Sequence, residues 1–358
     1  MKVQKAELAA KISALKSIAL HKSSIPATQG ILVKDSKLTA YDLTIGMTAT
    51  LDGAENDEFI LPPKAIEMIE KLPDGWVEIT ARKDTVTLET EDTRSRYQTM
   101  PVQEFPGIGE ISAAENVHHA SLDGAKLQNR ISAVLYSVSD NNPQKPIQTG
   151  AQMLGEGGKL YIAGCDGYRL AHAEMPYGGE LNIVVPKIAL QKIVSLNLDG
   201  PIEIAYTSNK AIFSAKEFAV FTRLLEGEFA DWKSMTLKTQ FTVEADRRAL
   251  IDSLNRATIC MDSKSLMPLR MEFSGKNLNL QINSSTMEYA DKISLETDAE
   301  SLVIGVNAKY MLDALKSFED DNVSMALGSA ITPIAITADD MTAVVMPVRL
   351  QENEAKEK

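Results

Sequence analysis

The chain has 358 residues, more than one typical domain needs, with a formal net charge of −12. Hydrophobic residues make up 44% and charged residues 24%, the balance of an ordinary globular protein, which excludes a disordered chain. No apolar run approaches the roughly 18 residues a membrane span needs, and the lysines dotted through Met1–Lys22 do not suit a signal peptide. Two cysteines, Cys165 and Cys260, argue against a disulfide framework and fit a reducing cytosol, so a cytoplasmic location is expected. So acidic a chain cannot be a general nucleic-acid coat unless its positive charge is segregated.

In chain order, the first predicted element is an amphipathic helix with its apolar stripe on Leu8, Ile12, Leu15 and Ala19. Three short strands are expected next, among them Ile45-Met47-Ala49-Leu51, whose period of two marks a half-buried antiparallel strand. A second helix starts at ILPPKAIEMIEKL (Ile60–Leu72), where Pro63 suits a first helical turn. Strands at Trp76–Thr80, Val86–Glu89 and Ser95–Gln98 follow.

The same series then recurs. Leu127, Ile131 and Leu135 mark a helix, VVPKIALQKIVSL (Val184–Leu196) opens a second with Pro186 in its first turn, and strands flank it. A third pass brings Leu250 and Leu254, the alternating Leu278-Leu280-Ile282, and GVNAKYMLDAL (Gly305–Leu315). The anchors Leu38, Leu160 and Leu278 lie 122 and 118 residues apart, and EFPGI (from Glu104) and EFADW (from Glu228) lie 124 apart. So long a period makes each repeat a domain rather than a solenoid unit. The expected domains are 1–114, 115–238 and 239–350, followed by a charged tail at 351–358. Helices separated by strand groups indicate α+β domains, two helices plus antiparallel sheets in each.

Charge can be counted over the six helical segments 2–22, 62–72, 122–137, 186–196, 244–256 and 307–317. They hold sixteen Lys/Arg and eight Asp/Glu, so an excess of +8 sits on helices and the remainder carries −20. Segment 244–256 balances, three against three. Lysines on solvated helix faces are common, but a shared bias is suited to holding a phosphate backbone without reading bases.

Catalytic patterns do not emerge. His21, His118, His119 and His172 have no metal-type spacing with each other or the cysteines. Gly155–Leu160 lacks the spacing of a phosphate-binding loop and reads as a hairpin turn. Cys165 reads as a small, partly buried thiol, and Glu319-Asp320-Asp321 as a solvated loop in which a weak cation site is conceivable. No enzyme activity, cofactor or metal is expected.

Two segments stand out: the turn Asp166-Gly167-Tyr168-Arg169-Leu170, and the apolar run Val344-Val345-Met346-Pro347-Val348-Arg349-Leu350 at the end of the last repeat. With the threefold repeat, the VPK-type second helix and EFADW, they make the chain resemble the bacterial sliding clamp family, the β subunit of DNA polymerase III, across nearly all of 1–350.

That resemblance implies the DNA-clamp fold in a head-to-tail homodimer whose six domains ring double-stranded DNA, with helices lining the hole. It implies a non-catalytic processivity factor that tethers the polymerase, clamp loader and repair proteins through short linear motifs. The implied peptide pocket comprises Cys165, Gly167, Tyr168, Arg169, Leu170, Gln148, Ala230, Met235, Ile331, Thr332, Val344, Met346, Pro347, Val348, Arg349 and Leu350. The implied DNA contacts are Lys22, Asn142 and Lys145, and the implied dimer seam sets Phe105 against the other protomer's Ile259 and Cys260. Gln148, Ala230, Ser234 and Tyr168 depart from the family's usual residues, which implies a drifted motif preference, and the small Cys260 implies a weaker seam. The alternative is a monomeric clamp-fold adaptor that binds partner peptides without encircling DNA.

Overall fold

A computed structural model describes residues 1–20, 23–54, 57–108, 116–196, 198–234, 238–261, 267–283 and 287–350. Lys22, Met235 and the tail at 351–358 therefore lie outside the described residues. The first repeat runs β1 (Lys2–Gln4), α1 (Lys5–Ala19), β2 (Ile31–Lys34), β3 (Lys37–Tyr41), β4 (Ile45–Thr50), β5 (Glu58–Leu61), α2 (Pro63–Lys71), β6 (Trp76–Arg82), β7 (Thr85–Glu89) and β8 (Arg94–Gln98). The second runs β9 (His118–Asp123), α3 (Gly124–Val134), β10 (Gly150–Glu156), β11 (Lys159–Cys165), β12 (Arg169–Pro176), β13 (Leu181–Pro186), α4 (Lys187–Ser195), β14 (Pro201–Tyr206), β15 (Lys210–Ser214) and β16 (Phe218–Arg223). The third runs β17 (Phe241–Asp246), α5 (Arg247–Ile259), β18 (Leu269–Asn283), β19 (Glu288–Val306), α6 (Ala308–Lys316), β20 (Asn322–Leu327), β21 (Ile334–Ala338) and β22 (Met341–Val345).

Contacts gather the chain into two compact units, Met1–Gln128 with Ile188–Glu226, and Asn129–Lys187 with Gly227–Lys358. Each unit holds one eight-stranded antiparallel sheet of the same topology. In the first unit the order is β5-β2-β3-β4-β16-β15-β14-β9, and in the second it is β13-β10-β11-β12-β22-β21-β20-β17. The middle of each sheet stitches two successive repeats together: β4 pairs with β16 (Gly46 opposite Phe221), and β12 pairs with β22 (Leu170 opposite Val344). The first unit adds the sheet β1-β6-β7-β8, and the second adds the long pair β18-β19.

The apolar stripes account for this packing. Leu8, Ile12, Leu15 and Ala19 of α1 are fully buried, as are Ala65, Ile66 and Ile69 of α2. Burying a large aliphatic side chain of this kind contributes about 1.5–3 kcal/mol. On β4, Ile45, Met47 and Ala49 alternate inward as their period of two requires.

Local details differ from expectation in four places. Four strands, not three, separate α1 from α2 and α3 from α4, because a fourth strand covers the sheet edge at β2 and at β10. Pro186 ends β13, and α4 begins one residue later at Lys187. The fifth helix starts at Arg247, later than the segment at 244, because the Asp246 side chain caps it by accepting from Ala249 N at 2.6 Å. In the third repeat the strand around Leu278 is part of the continuous β18, which bends through Gly275 at φ +54°. Gly155–Leu160 is a hairpin: Glu156 lies opposite Lys159, with Gly157 and Gly158 at positive φ between them.

The helical charge is partly neutralised at home. Lys5, Lys11, Lys16, Arg130, Lys187 and Arg256 make ion pairs, and Arg247 donates to carbonyls near the end of α6. Glu67 and Glu70 balance Lys64 and Lys71 in number on α2. Lys64, Lys71, Lys126, Arg248, Lys309 and Lys316 are exposed and make no ion pair among the described residues.

Candidate functional site

The site is built on the turn between β11 and β12 in the second compact unit. Asp166 Oδ1 accepts from the backbone N–H groups of Tyr168 (2.9 Å) and Arg169 (3.0 Å), and Asp166 N donates to Arg169 O at 3.2 Å. Gly167 closes the turn at φ +92°, a left-handed conformation that favours glycine. Tyr168 is thereby thrown outward, 63% exposed. Leu170 is buried and lies opposite Val344.

The terminal segment lies beside this turn. Met346 N donates to Tyr168 O at 2.9 Å, and Val348 N donates to Gly305 O at 2.8 Å. Gly305 admits the strap because a Cβ there would stand 2.3 Å from Val348 O. Met346 (42% exposed) and Tyr168 are the large apolar side chains that these segments present to solvent, Ile331 is 77% exposed between β20 and β21, and Cys165 and Val344 are buried. Burial pushes the Cys165 thiol up, which favours the neutral form of this small buried side chain. Pro347 and Val348 are half-buried, as are Thr332 and Leu350, and Arg349 is exposed.

Beneath Tyr168 lies a charged and aromatic cluster that the sequence did not reveal. Arg169 Nε donates to Asp166 Oδ2 at 2.9 Å, and its Nη1 donates to Asp313 Oδ2 at 2.7 Å. The guanidinium also sits 4.4 Å from the Tyr310 ring centroid and 5.3 Å from that of Tyr136. Burial opposes the Arg169 charge, but Asp313 and Asp166 more than offset it and hold its pKa above the usual value. Tyr310 and Asp313 are three residues apart on α6 and so share a face, and Asn307 caps that helix by accepting from Lys309 N and Tyr310 N. The Tyr136 hydroxyl is buried, and burial pushes its pKa well up, with Ser317 opposing. The i,i+3 pair on α6 was the one signal that could have drawn attention to Tyr310 and Asp313.

Other expected site residues are placed as follows. Gln148 is buried, and its Oε1 accepts from Asn142 Nδ2 at 2.8 Å. Asn142 Oδ1 accepts from Lys145 N at 3.0 Å, so both ends of the Asn142 amide are used within its own loop, while the Lys145 side chain is exposed. Ala230 is exposed in the EFADW segment, whose Trp232 stacks on His172 with centroids 4.6 Å apart. Ser234 N donates to Asp231 Oδ1 at 3.2 Å in the same segment. Ile259 is 80% exposed at the end of α5 and Cys260 is half-buried. In the first unit, Phe105 is buried with Ala27, Tyr41, Ile60 and Phe221. Among the described residues no three His, Cys, Asp or Glu side chains group as a metal site, and no helix is long and apolar enough to cross a membrane.

An antiparallel sheet that joins two repeats, and an apolar terminal strap paired to an Asp-Gly turn, define a clamp-type repeat protein. Family models for the DNA polymerase III beta subunit match the central domain over residues 121–231 and the C-terminal domain over 237–349. Together these matches span more than half of the chain, which belongs to the DNA polymerase III beta subunit family, the beta sliding clamps. It is 26% identical to the beta sliding clamp of Synechocystis over 350 residues, covering 88% of each chain. It is also 26% identical to that of Vibrio cholerae over 352 residues, covering 92% of this chain and 94% of the relative. The solved Thermotoga maritima DNA polymerase III beta subunit superposes with a TM-score of 0.87 at 26% identity, covering 98% of this chain and 99% of that one. The fold expected from the repeats, antiparallel sheets with two helices per repeat, is the clamp fold.

Proposed function

We propose that this chain is a processivity factor: a non-catalytic homodimeric ring that encircles double-stranded DNA and tethers a replicative polymerase, clamp loader and repair proteins. On this reading the three repeats, 1–114, 115–238 and 239–350, are its domains, and it works on DNA in the cytoplasm. The observation that carries it is the Tyr168–Leu170 turn paired to the Val344–Met346 strap, with the Tyr168 and Met346 side chains exposed on it. Exposed apolar side chains beside a prepared strand pair suit a short linear peptide with apolar anchors, and the flexible Met346 suits several such partners. The exposed lysines of α2, α3 and α6 and Lys145 suit loose, sequence-independent phosphate contact, which resists sliding little. Lys22 and Asn142 complete the proposed DNA contacts, and Phe105 against the partner's Ile259 and Cys260 the proposed seam.

The test has two parts. A labelled peptide from a bacterial polymerase tail should bind the full chain saturably and fail to bind a chain ending at Val345. Loaded onto nicked circular DNA, the protein should survive a high-salt wash and be lost when the circle is linearised, since a topological link outlasts screened phosphate contacts. Peptide binding without salt-resistant retention would leave a monomeric adaptor and exclude the ring.

A further inference from the structure

Two of the described residues of the peptide site carry sulfur, Cys165 and Met346, and their surroundings differ. Cys165 is buried beside the turn, and burial raises its thiol pKa, so the thiolate that reacts with an oxidant is scarce. Met346 follows directly on β22 and is 42% exposed. A thioether reacts without first losing a proton, so exposure governs its access. Among the described residues the one other exposed methionine is Met287, just before β19, at 44%. Met341, at the start of β22, is buried, and its sulfur accepts from Ser317 Oγ at 3.8 Å. Met311 and Met325 are fully buried in the same compact unit.

The main chain on both sides of Met346 is pinned. Val345 pairs with Arg169 and Ile334, Met346 N donates to Tyr168 O at 2.9 Å, and Val348 N donates to Gly305 O at 2.8 Å. An oxygen added to the sulfur therefore changes the surface of the site while the strap stays in place. The step needs only hydrogen peroxide. The sulfur lone pair attacks one peroxide oxygen, an S–O bond forms and the O–O bond breaks. The sulfur is oxidised by two electrons, and the second oxygen takes up the proton of the first and leaves as water. An apolar thioether becomes a polar sulfoxide. An apolar anchor packed on it would bury the new oxygen without a donor, whereas the empty site leaves that oxygen in water.

We propose that Met346 is an oxidative modification site that regulates the peptide site: peroxide converts it to the sulfoxide and lowers affinity for apolar peptide motifs, and a thiol-dependent reductase restores it. In the return step two thiols become a disulfide, and the sulfoxide oxygen leaves as water. This rests on the peptide-site reading above.

The test exposes the full chain to hydrogen peroxide for increasing times. Each sample is read twice, by peptide mass spectrometry for oxygen added at each methionine and by titration with the labelled polymerase-tail peptide. Met346 and Met287 should gain oxygen well before Met311 and Met325. Affinity should fall about tenfold in step with the Met346 sulfoxide fraction, the scale of one polar group buried without a partner. Methionine sulfoxide reductase with a thiol should restore it. Met287→Leu should lose and regain affinity as the parent chain does, which assigns the effect even where Met346→Leu binds too weakly to titrate. In Met346→Leu, peroxide should leave whatever affinity the variant has unchanged. The proposal is overturned if Met346 stays reduced while Met311 and Met325 oxidise, or if the Met346 sulfoxide binds like the untreated chain. A peroxide-induced loss in Met346→Leu equal to that of the parent overturns it too. Failure of the untreated parent chain to bind would overturn the peptide-site reading, and this proposal with it.

Discussion

The β3–β4 turn of the first compact unit and the β11–β12 turn of the second are the same turn with opposite outcomes. Asp42 Oδ1 accepts from Thr44 N at 2.9 Å and Ile45 N at 2.8 Å, as Asp166 does from Tyr168 and Arg169. In each sheet the next strand pairs onto the sheet's other half, Gly46 opposite Phe221 and Leu170 opposite Val344. Yet the first copy is filled from within. Tyr41 and Phe221 stand where Cys165 and Val344 stand, their rings edge to face at 6.1 Å, with Phe105 in the same core. Ile108 comes so near that a Cβ on Gly46 would stand 2.9 Å from it. The second copy has a thiol and a valine at those positions and an arginine in place of Ile45. Identical backbone hydrogen bonds thus carry two aromatic rings packed in a core in one unit and small buried side chains beside an exposed Tyr168 in the other, and side-chain volume separates them.

The contrast can be broken most severely at Arg169. Arg169→Ala strands two carboxylates, and should cost about 2–3 kcal/mol, less than for a fully buried pair because Asp313 is partly solvated. Urea unfolding reads this cost, and peptide binding should be lost; a stability within 0.5 kcal/mol of the parent would show the cluster to be slack.

Next in size are changes of volume. Val344→Phe should imitate the first unit, weakening peptide binding at least tenfold, while overpacking costs about 1–3 kcal/mol. The reverse change, Phe221→Val, should cost about 2–3 kcal/mol through the cavity it leaves and should not alter peptide affinity. Titrations of both variants beside their unfolding curves decide whether occupancy of that space is what separates the two turns.

A smaller effect lies in the turn backbones. Leu43 occupies the left-handed region at φ +78°, where Gly167 sits without steric cost at φ +92°. Leu43→Gly should stabilise by about 0.5–1 kcal/mol, strain relief being partly offset by added freedom of the unfolded chain. Gly167→Ala should destabilise by about 1–2 kcal/mol. If the two substitutions shift unfolding in the same direction, the turns are not equivalent.

The smallest expected effect is a pH dependence in the second unit's sheet. His172 is held below its ordinary pKa, chiefly by burial and also by Lys233, with Glu174 opposing; Trp232 and Tyr161 cover the ring. A depressed histidine pKa means that the unfolded chain binds more protons, so stability should fall as pH drops below about 6.5 and level off beneath the folded value. Melting curves of His172→Phe across that range should lose this component.

The repeats explain how much was legible beforehand. Period-two and helical stripes at Leu8–Ala19, Ile45–Leu51 and Pro63–Lys71 mark buried faces, and burial is what orders those segments. The two segments of the site, Asp166–Leu170 and Val344–Leu350, were visible because turn chemistry and an apolar terminus are local features. Tyr136, Tyr310 and Asp313 were not, because each is unremarkable among its own neighbours in sequence. Asn142 shows the opposite case: a polar side chain in an exposed-looking loop that proves to be used inside it.

By itself, the sequence determined three copies of one α+β unit, the strand and helix faces turned to each core, and the Asp-Gly turn, since all of these follow from short-range spacing. Only the tertiary structure decided that each eight-stranded sheet is shared by two repeats, that Arg169 is gripped by carboxylates 147 residues apart in the chain, and that one of two like turns packs aromatic rings and the other small side chains. Those outcomes depend on which side chains meet across β4–β16 and β12–β22, and pairing between distant strands is set by complementary volume and charge that no local pattern records.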